Sequence, residues 1–202
     1  MKQAVLIFAK NLIHGEVKTR LAETIGNDRA FSVYKELLQH TNDITKDIAF
    51  DKIVFYSNNI DEKGIWAHET YKKQIQKGNG LGERMLNAFE YAFKNGYEEV
   101  VIIGTDCFEL TSSIINDAFS FLKDHEIVIG PAEDGGYYLL GMKKLYPELF
   151  QNIYWSTENV LLQTIAVCTK VNITYHLLQQ LLDVDEEKDL IKTKFALTNK
   201  SD

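Results

Sequence analysis

The sequence predicts a single-domain α/β protein of three layers, with helices on both faces of a mostly parallel central sheet. Two observations predict it. Strand-like and helix-like segments alternate along nearly the whole chain, the order produced when crossover helices connect parallel strands. The run VVIIGTD, Val100 to Asp106, is apolar without alternation until it ends in a carboxylate. That pattern suits a strand covered on both faces. Ligands of such sheets collect beyond the carboxyl ends of the strands, which puts Asp106 where a metal or phosphate can meet it.

The elements follow in order. Ala4 to Ala9 (AVLIFA) reads as a buried first strand, followed by a loop containing Gly15. A helix is expected from about Asp28 to Thr41, with Phe31, Tyr34, Leu37 and Leu38 on one face. Lys52 to Tyr56 is the second strand, and Tyr71 to Gln76 alternates in polarity as a short strand near an edge does. Leu81 to Lys94 carries Met85, Ala88, Phe89 and Ala92 on one helical stripe and stops at Gly96. Strand Val100 to Gly104 precedes a helix opened by Thr111, Ser112 or Ser113 and running to about Lys123. Glu126 to Gly130 and Tyr137 to Met142 are strands separated by a Gly-Gly turn. Ser156 or Thr157 caps a helix through Val167; Asn172 to Leu177 is a late strand, and Glu186 to Ala196 a closing helix. No repeat, low-complexity tract or linker interrupts the 202 residues.

Composition narrows the function. With a net charge of −7, a general affinity for nucleic acid or an anionic membrane is not expected. A local cationic pocket for a phosphorylated small molecule remains compatible. Cys107 and Cys168 are too few for a disulfide framework and read as reduced, buried thiols of a cytoplasmic protein. The apolar start is short and reads as a strand, not a signal peptide. No apolar run approaches the ~20 residues of a membrane helix.

Five places could carry chemistry. After the first strand, Lys10, Gly15, Lys18 and Arg20 could hold a diphosphate through backbone donors, a point charge and a bidentate fork. For a lone K-x-R, a solvated basic turn is the stronger reading. Gly78, Gly80 and Gly82, with Arg84, open a helix where a ligand could approach the backbone, or form only a flexible turn. Asp106 could serve Mg²⁺, which needs one or two carboxylates besides water and substrate phosphates. In Glu133-Asp134-Gly135-Gly136-Tyr137, Asp134 could orient or deprotonate a hydroxyl, although a plain hairpin turn explains the glycines. Asp183 to Asp189 reads foremost as an acidic helix opening, with a second metal ligand the lesser reading. The histidines lack zinc spacing, and no G-x-S-x-G elbow is present.

Taken together, six stretches form an ordered set: Phe8 to Leu21, Leu81 to Met85, Gly104 to Cys107, Gly130 to Gly141, Trp155 to Val160 and Asp183 to Leu190. The set resembles the bacterial glycosyltransferase-like family associated with arsenosugar biosynthesis, formerly a domain of unknown function. That resemblance implies a nucleotide-diphospho-sugar transferase (GT-A-like) fold. It implies phosphate contacts from Lys18 and Arg20, Mg²⁺ or Mn²⁺ on Asp106, and Asp185 as a lesser metal ligand. It also implies a donor or acceptor site around Asp134 to Tyr137, with Trp155 and Ser156 beside it. The chain departs from the family pattern at Leu12 and Phe108, where proline is usual, and at Gly80, where aspartate is common.

The resulting expectation is a metal-dependent transferase that passes a sugar from a nucleotide-sugar to a small-molecule acceptor, with Asp134 acting on the acceptor. Two alternatives stay open: a nucleotidyltransferase releasing pyrophosphate, and a non-catalytic nucleotide-binding protein. A dinucleotide-binding dehydrogenase is disfavoured, because the first strand leads into K-x-R and not a glycine fingerprint.

Overall fold

The computed structural model describes residues 1–193. It contains one seven-stranded sheet of order β3-β2-β1-β4-β6-β5-β7. The strands are β1 (Gln3–Ala9), β2 (Asp51–Tyr56), β3 (Tyr71–Ile75), β4 (Glu99–Ile103), β5 (Ile127–Pro131), β6 (Tyr137–Met142) and β7 (Tyr175–Leu177). All neighbouring pairs are parallel except those made by β6, which runs antiparallel between β4 and β5. The helices are α1 (Thr19–Ile25), α2 (Asn27–Thr45), α3 (Leu81–Lys94), α4 (Ser112–Leu122), α5 (Val160–Lys170) and α6 (Glu187–Lys192).

The unbroken apolar strands follow from burial on both faces. In β1, Val5, Ile7 and Ala9 pack with Tyr34 and Leu38 of α2 and Ile115 and Phe119 of α4. Ala4 and Leu6 point the other way, into a layer with Met85 and Phe89 of α3 and Cys168 of α5. Both cysteines are free and buried, as the sequence suggested. Among the described residues no helix is long and apolar enough to cross a membrane.

Four local expectations need correction. The stretch after Gly15 is not all loop, since Thr19–Ile25 forms α1. Its seven residues are too few for a periodic signal; it is held by packing, with fully buried Leu21 joining Val33 and Leu37 of α2 and Val184. Neither Ser156 nor Thr157 caps α5: the cap position is Asn159, without a side-chain bond, and the Thr157 hydroxyl donates to the Tyr154 carbonyl at 2.7 Å. β7 starts at Tyr175, because Asn172 (φ 54°) takes the left-handed conformation that closes α5. Asp183 does not open the last helix. Glu186 and Asp189 form a reciprocal capping box there, leaving Asp183 and Asp185 for other work. The expected end of that helix, Ala196, lies outside the described residues.

Candidate active site

Sheet order places the site. β1 is flanked by β2 on one side and β4 on the other, so the chain leaves β1 and β2 in one direction and reaches β4 in the other. A crevice opens at such a switch point, beyond the carboxyl ends of the strands. Lys10 follows β1 and Asp106 follows β4, so both fall on its rim. Antiparallel β6 brings its beginning to the same rim: Ile103 pairs with Leu139, and the Gly104 N–H donates to the Tyr138 carbonyl at 3.2 Å. The segment after β7 then crosses the rim. Leu181 bridges to Ala132 and Asp183 to Cys107, and the Val184 N–H donates to the Asp106 carbonyl at 2.9 Å.

The resulting cleft has a volume of about 740 Å³, within the usual range for small-molecule sites. Of the residues singled out in the sequence, it is lined by Lys10, Arg20, Arg84, Asp106, Asp134, Gly136, Tyr137, Trp155, Ser156 and Asp185. Lys18 sits in an adjoining recess with Lys10, Arg20, Asp106 and Asp185. The acid after β4 and the basic loop after β1 therefore share one cleft.

Lys18 is the centre of the charge arrangement. Its Nζ lies 2.7 Å from Asp106 Oδ1 and 3.0 Å from Asp185 Oδ1, and only 5% of its side chain is exposed. Burial alone would push the ammonium pKa down; the two carboxylates outweigh that and leave it above the ordinary lysine value. Asp185 feels the opposite balance: burial raises its pKa, but Lys18 and then Arg20 bring it below the usual carboxylate value. Arg20 Nη2 stands 3.6 Å from Asp185 Oδ2 and is 68% exposed, so its guanidinium remains open to an anion. Asp183 is pushed up to about 8, first by burial and then by the charge of Asp106.

Gly82, Gly135 and Tyr137 meet neighbours that the sequence did not foretell. Gly15 (φ 80°) serves the turn, with open space around it. A Cβ on Gly82 would collide with the Trp155 indole, so this glycine admits Trp155 against α3 and does not line the cleft. A Cβ on Gly135 (φ 86°) would meet the Glu158 backbone, and the Gly135 carbonyl accepts from Leu161 N–H at 2.9 Å. The turn thus anchors the 155–160 segment across the cleft. The Tyr137 hydroxyl is buried beside Thr164 rather than presented to a ligand, and burial raises its pKa. Asp134 is exposed at the rim, one oxygen accepting from Gly136 N–H at 2.9 Å.

Sequence reasoning missed the groups that hold the cleft open. Asn11 Oδ1 accepts from Ser57 Oγ, Asn58 N–H and Asn59 N–H, while its amide donates to the Asn59 carbonyl at 2.7 Å. Those contacts fasten the loop after β1 to the loop after β2. Gln76 donates to the Phe55 carbonyl at 2.9 Å, and Asn11, Ser57, Asn58 and Gln76 line the cleft together. The Tyr34 hydroxyl accepts from Lys10 N–H at 2.8 Å, donates to the Lys10 carbonyl at 3.1 Å, and lies 3.3 Å from Thr105 Oγ1. For Asn11, Ser57, Asn58 and Gln76, positions just past strand ends were the available signal; Tyr34, inside α2, carried none beyond its place on the apolar face.

Sheet order and rim site define an α/β protein with a cleft at the switch point of a mostly parallel sheet. More particularly, the chain belongs to the family described as "Uncharacterized protein conserved in bacteria (DUF2064)", matched over residues 40–157. A crystal structure from Desulfovibrio desulfuricans G20, described provisionally as a nucleotide-diphospho-sugar transferase, superposes with a TM-score of 0.90. It is 30% identical, with 100% of this chain and 90% of that one covered. The chain is also 26% identical over 178 residues to the 2-phospho-L-lactate guanylyltransferase of Methanocaldococcus sp. (strain FS406-22), covering 86% of this chain and 74% of that protein. A 4-diphosphocytidyl-2C-methyl-D-erythritol synthase shares the fold at a TM-score of 0.61 and 12% identity, with 96% and 97% of the chains covered.

Proposed function

We propose that this chain is a nucleotidyltransferase acting on a nucleoside triphosphate and a small phosphorylated acceptor. An acceptor phosphate oxygen attacks the α-phosphorus, a new P–O bond forms there, and pyrophosphate leaves with the electrons of the broken bond. The observation that carries this reading is the convergence of Lys10, Lys18 and Arg20 with Asp106 and Asp185 around one cleft. Such cations neutralise the charge that builds on a departing pyrophosphate, the main electrostatic task of phosphoryl chemistry. The similarity to a guanylyltransferase supports nucleotidyl transfer over the sugar transfer expected from the sequence. An ionised acceptor phosphate needs no base, so Asp134 orients the acceptor at the rim.

The residues present fit Mg²⁺ or Mn²⁺. Asp106 and Asp185 already point one oxygen each at a single cation, the Lys18 ammonium, and two hard carboxylates plus substrate phosphates make a sufficient set for Mg²⁺. Asp106 would be the principal ligand and Asp185 the second. Bound there, the ion would supply further charge neutralisation to the polyphosphate. Arg20 and Lys10 hold the phosphates in place, and the 155–160 segment with Trp155 screens the acceptor side. Two buried free thiols suit a cytoplasmic setting. No contact in the cleft singles out arsenic, so the acceptor is described by its phosphate alone.

Sugar transfer stays as the second reading because the 30% identical Desulfovibrio structure is described that way. Product analysis separates the two. The protein is incubated with each nucleoside triphosphate, Mg²⁺ and a panel of small phosphate monoesters, and separately with nucleotide-sugars. Metal-dependent pyrophosphate release that Asp106→Asn abolishes is expected. Nucleoside diphosphate from nucleotide-sugars without pyrophosphate would overturn the proposal for sugar transfer, and binding without any turnover would make the chain a nucleotide-binding protein.

A further inference from the structure

The geometry points to Lys18 as a built-in competitor for the divalent ion: its ammonium holds Asp106 and Asp185 until a polyphosphate draws it away, so that metal capture follows nucleotide binding. This inference rests on the proposed metal role of the two aspartates and goes beyond it.

Three observations carry it. First, the same two oxygens that would receive the ion are in direct contact with Nζ, at 2.7 and 3.0 Å. An ammonium and a divalent cation cannot share that contact, because their like charges would meet at close range. Second, Lys18 is buried with its ammonium paired to both carboxylates. It is a non-glycine residue at φ 49°, ψ 45°, at the start of a seven-residue helix, a backbone state that persists only where surrounding contacts enforce it. Third, Arg20 and Lys10 face the same recess with their charged ends accessible. A polyphosphate arriving there offers Lys18 new oxygen partners and so removes the loss it would otherwise suffer on leaving the carboxylates.

The coupling must be reciprocal. Without polyphosphate, metal binds weakly because Lys18 would have to be displaced into a setting with no anion. With polyphosphate bound, the displacement is already made. In catalysis this order prevents the carboxylates from capturing an ion before a substrate is seated.

The test uses Mn²⁺ as the probe on nucleotide-free protein, followed by titration calorimetry and by the electron paramagnetic resonance signal of free Mn²⁺. No turnover is needed. Lys18→Met is expected to bind Mn²⁺ about tenfold more tightly than wild type, the size of an ordinary coupling between sites. Lys18→Arg, which keeps the charge, is expected to stay near wild type, and Lys18→Met combined with Asp106→Asn to bind no ion. Because removing Lys18 takes the ammonium from Asp106 and leaves Asp185 only its longer contact with Arg20, thermal melting gives a second measure. Lys18→Met should melt below wild type in EDTA and recover with Mn²⁺ by more than wild type gains.

The outcomes separate. Equal or weaker Mn²⁺ binding by Lys18→Met, with binding still abolished by Asp106→Asn, overturns the competition and leaves the metal site standing. Binding untouched by Asp106→Asn overturns both.

Discussion

Tyr34→Phe tests how the site is tied to the core. Tyr34 comes from α2 and is 1% exposed, yet its hydroxyl serves the loop after β1 and lies beside Thr105, the residue before Asp106. The substitution keeps the ring, so no cavity forms and the hydrophobic contribution is unchanged. What is lost is the partner of both peptide groups of Lys10. Leaving a partly buried donor and acceptor unmet costs about 1–3 kcal/mol. For a chain of this length each kcal/mol moves the melting temperature by about 2–4 °C, so a loss of ~2 kcal/mol lowers it by about 4–8 °C. Urea unfolding followed by circular dichroism should show a lower midpoint with an unchanged m-value. Because Lys10 lines the cleft, affinity for inorganic tripolyphosphate should fall in the same variant. A stability change within about 0.5 kcal/mol, the scatter of ordinary surface substitutions, with unchanged tripolyphosphate binding, would refute the idea that this hydroxyl pins the loop.

Two further outcomes follow from the geometry. Gly82→Ala forces a methyl into the Trp155 indole. Overpacking of this kind costs about 1–3 kcal/mol, and the tryptophan fluorescence should shift as Trp155 is displaced from α3; an unchanged spectrum and stability would show that the segment gives way freely. Asp183 has a folded-state pKa of about 8 against an ordinary 3.8, so the folded protein holds a proton that the unfolded chain releases. Its contribution is fully present below about pH 4, declines as pH rises, and is lost above about pH 8. In EDTA, Asp183→Asn should therefore gain stability over wild type as pH rises through that window, with the difference vanishing near pH 4. A pH-independent difference would show that Asp183 does not titrate in this range.

The strands and long helices were legible because their burial is two-sided and periodic. β4 is buried along its entire length, and α3 turns Met85, Ala88, Phe89 and Ala92 inward, as apolar spacing alone dictates. Among the short elements, α1 and the start of β7 were not legible. α1 exists because Leu21 is captured by the following helix α2 and by Val184, which lies far along the chain. The boundary of β7 depends on one left-handed asparagine, which carries no periodic signal. The hairpin turn signalled the antiparallel pairing of β5 and β6, but the insertion of β6 beside β4 is a matter of hydrogen-bond partners that its apolar sequence does not specify.

For the site, the same distinction holds between residue type and residue meeting. The rule that ligands gather beyond strand ends was enough to select Lys10, Asp106 and the turn before β6, since each immediately follows or precedes a buried strand. Gly82 misled for a physical reason. A missing side chain makes room equally well for a ligand and for a neighbouring indole, and at Gly82 the indole takes it. The pairing of Lys18 with Asp185 spans 167 positions, and nothing local distinguishes a lysine that will face phosphate from one that will first face carboxylates. Only the crossing of the last segment over the rim, fixed by the Asp183–Cys107 bridge, creates that contact. Once created, it changes what the basic loop is. Arg20 and Lys10 keep exposed side chains, whereas Lys18 is buried against two carboxylates. A site that looks from its sequence like three equivalent positive charges holds, in the folded chain, two exposed cations and one buried lysine paired with two carboxylates.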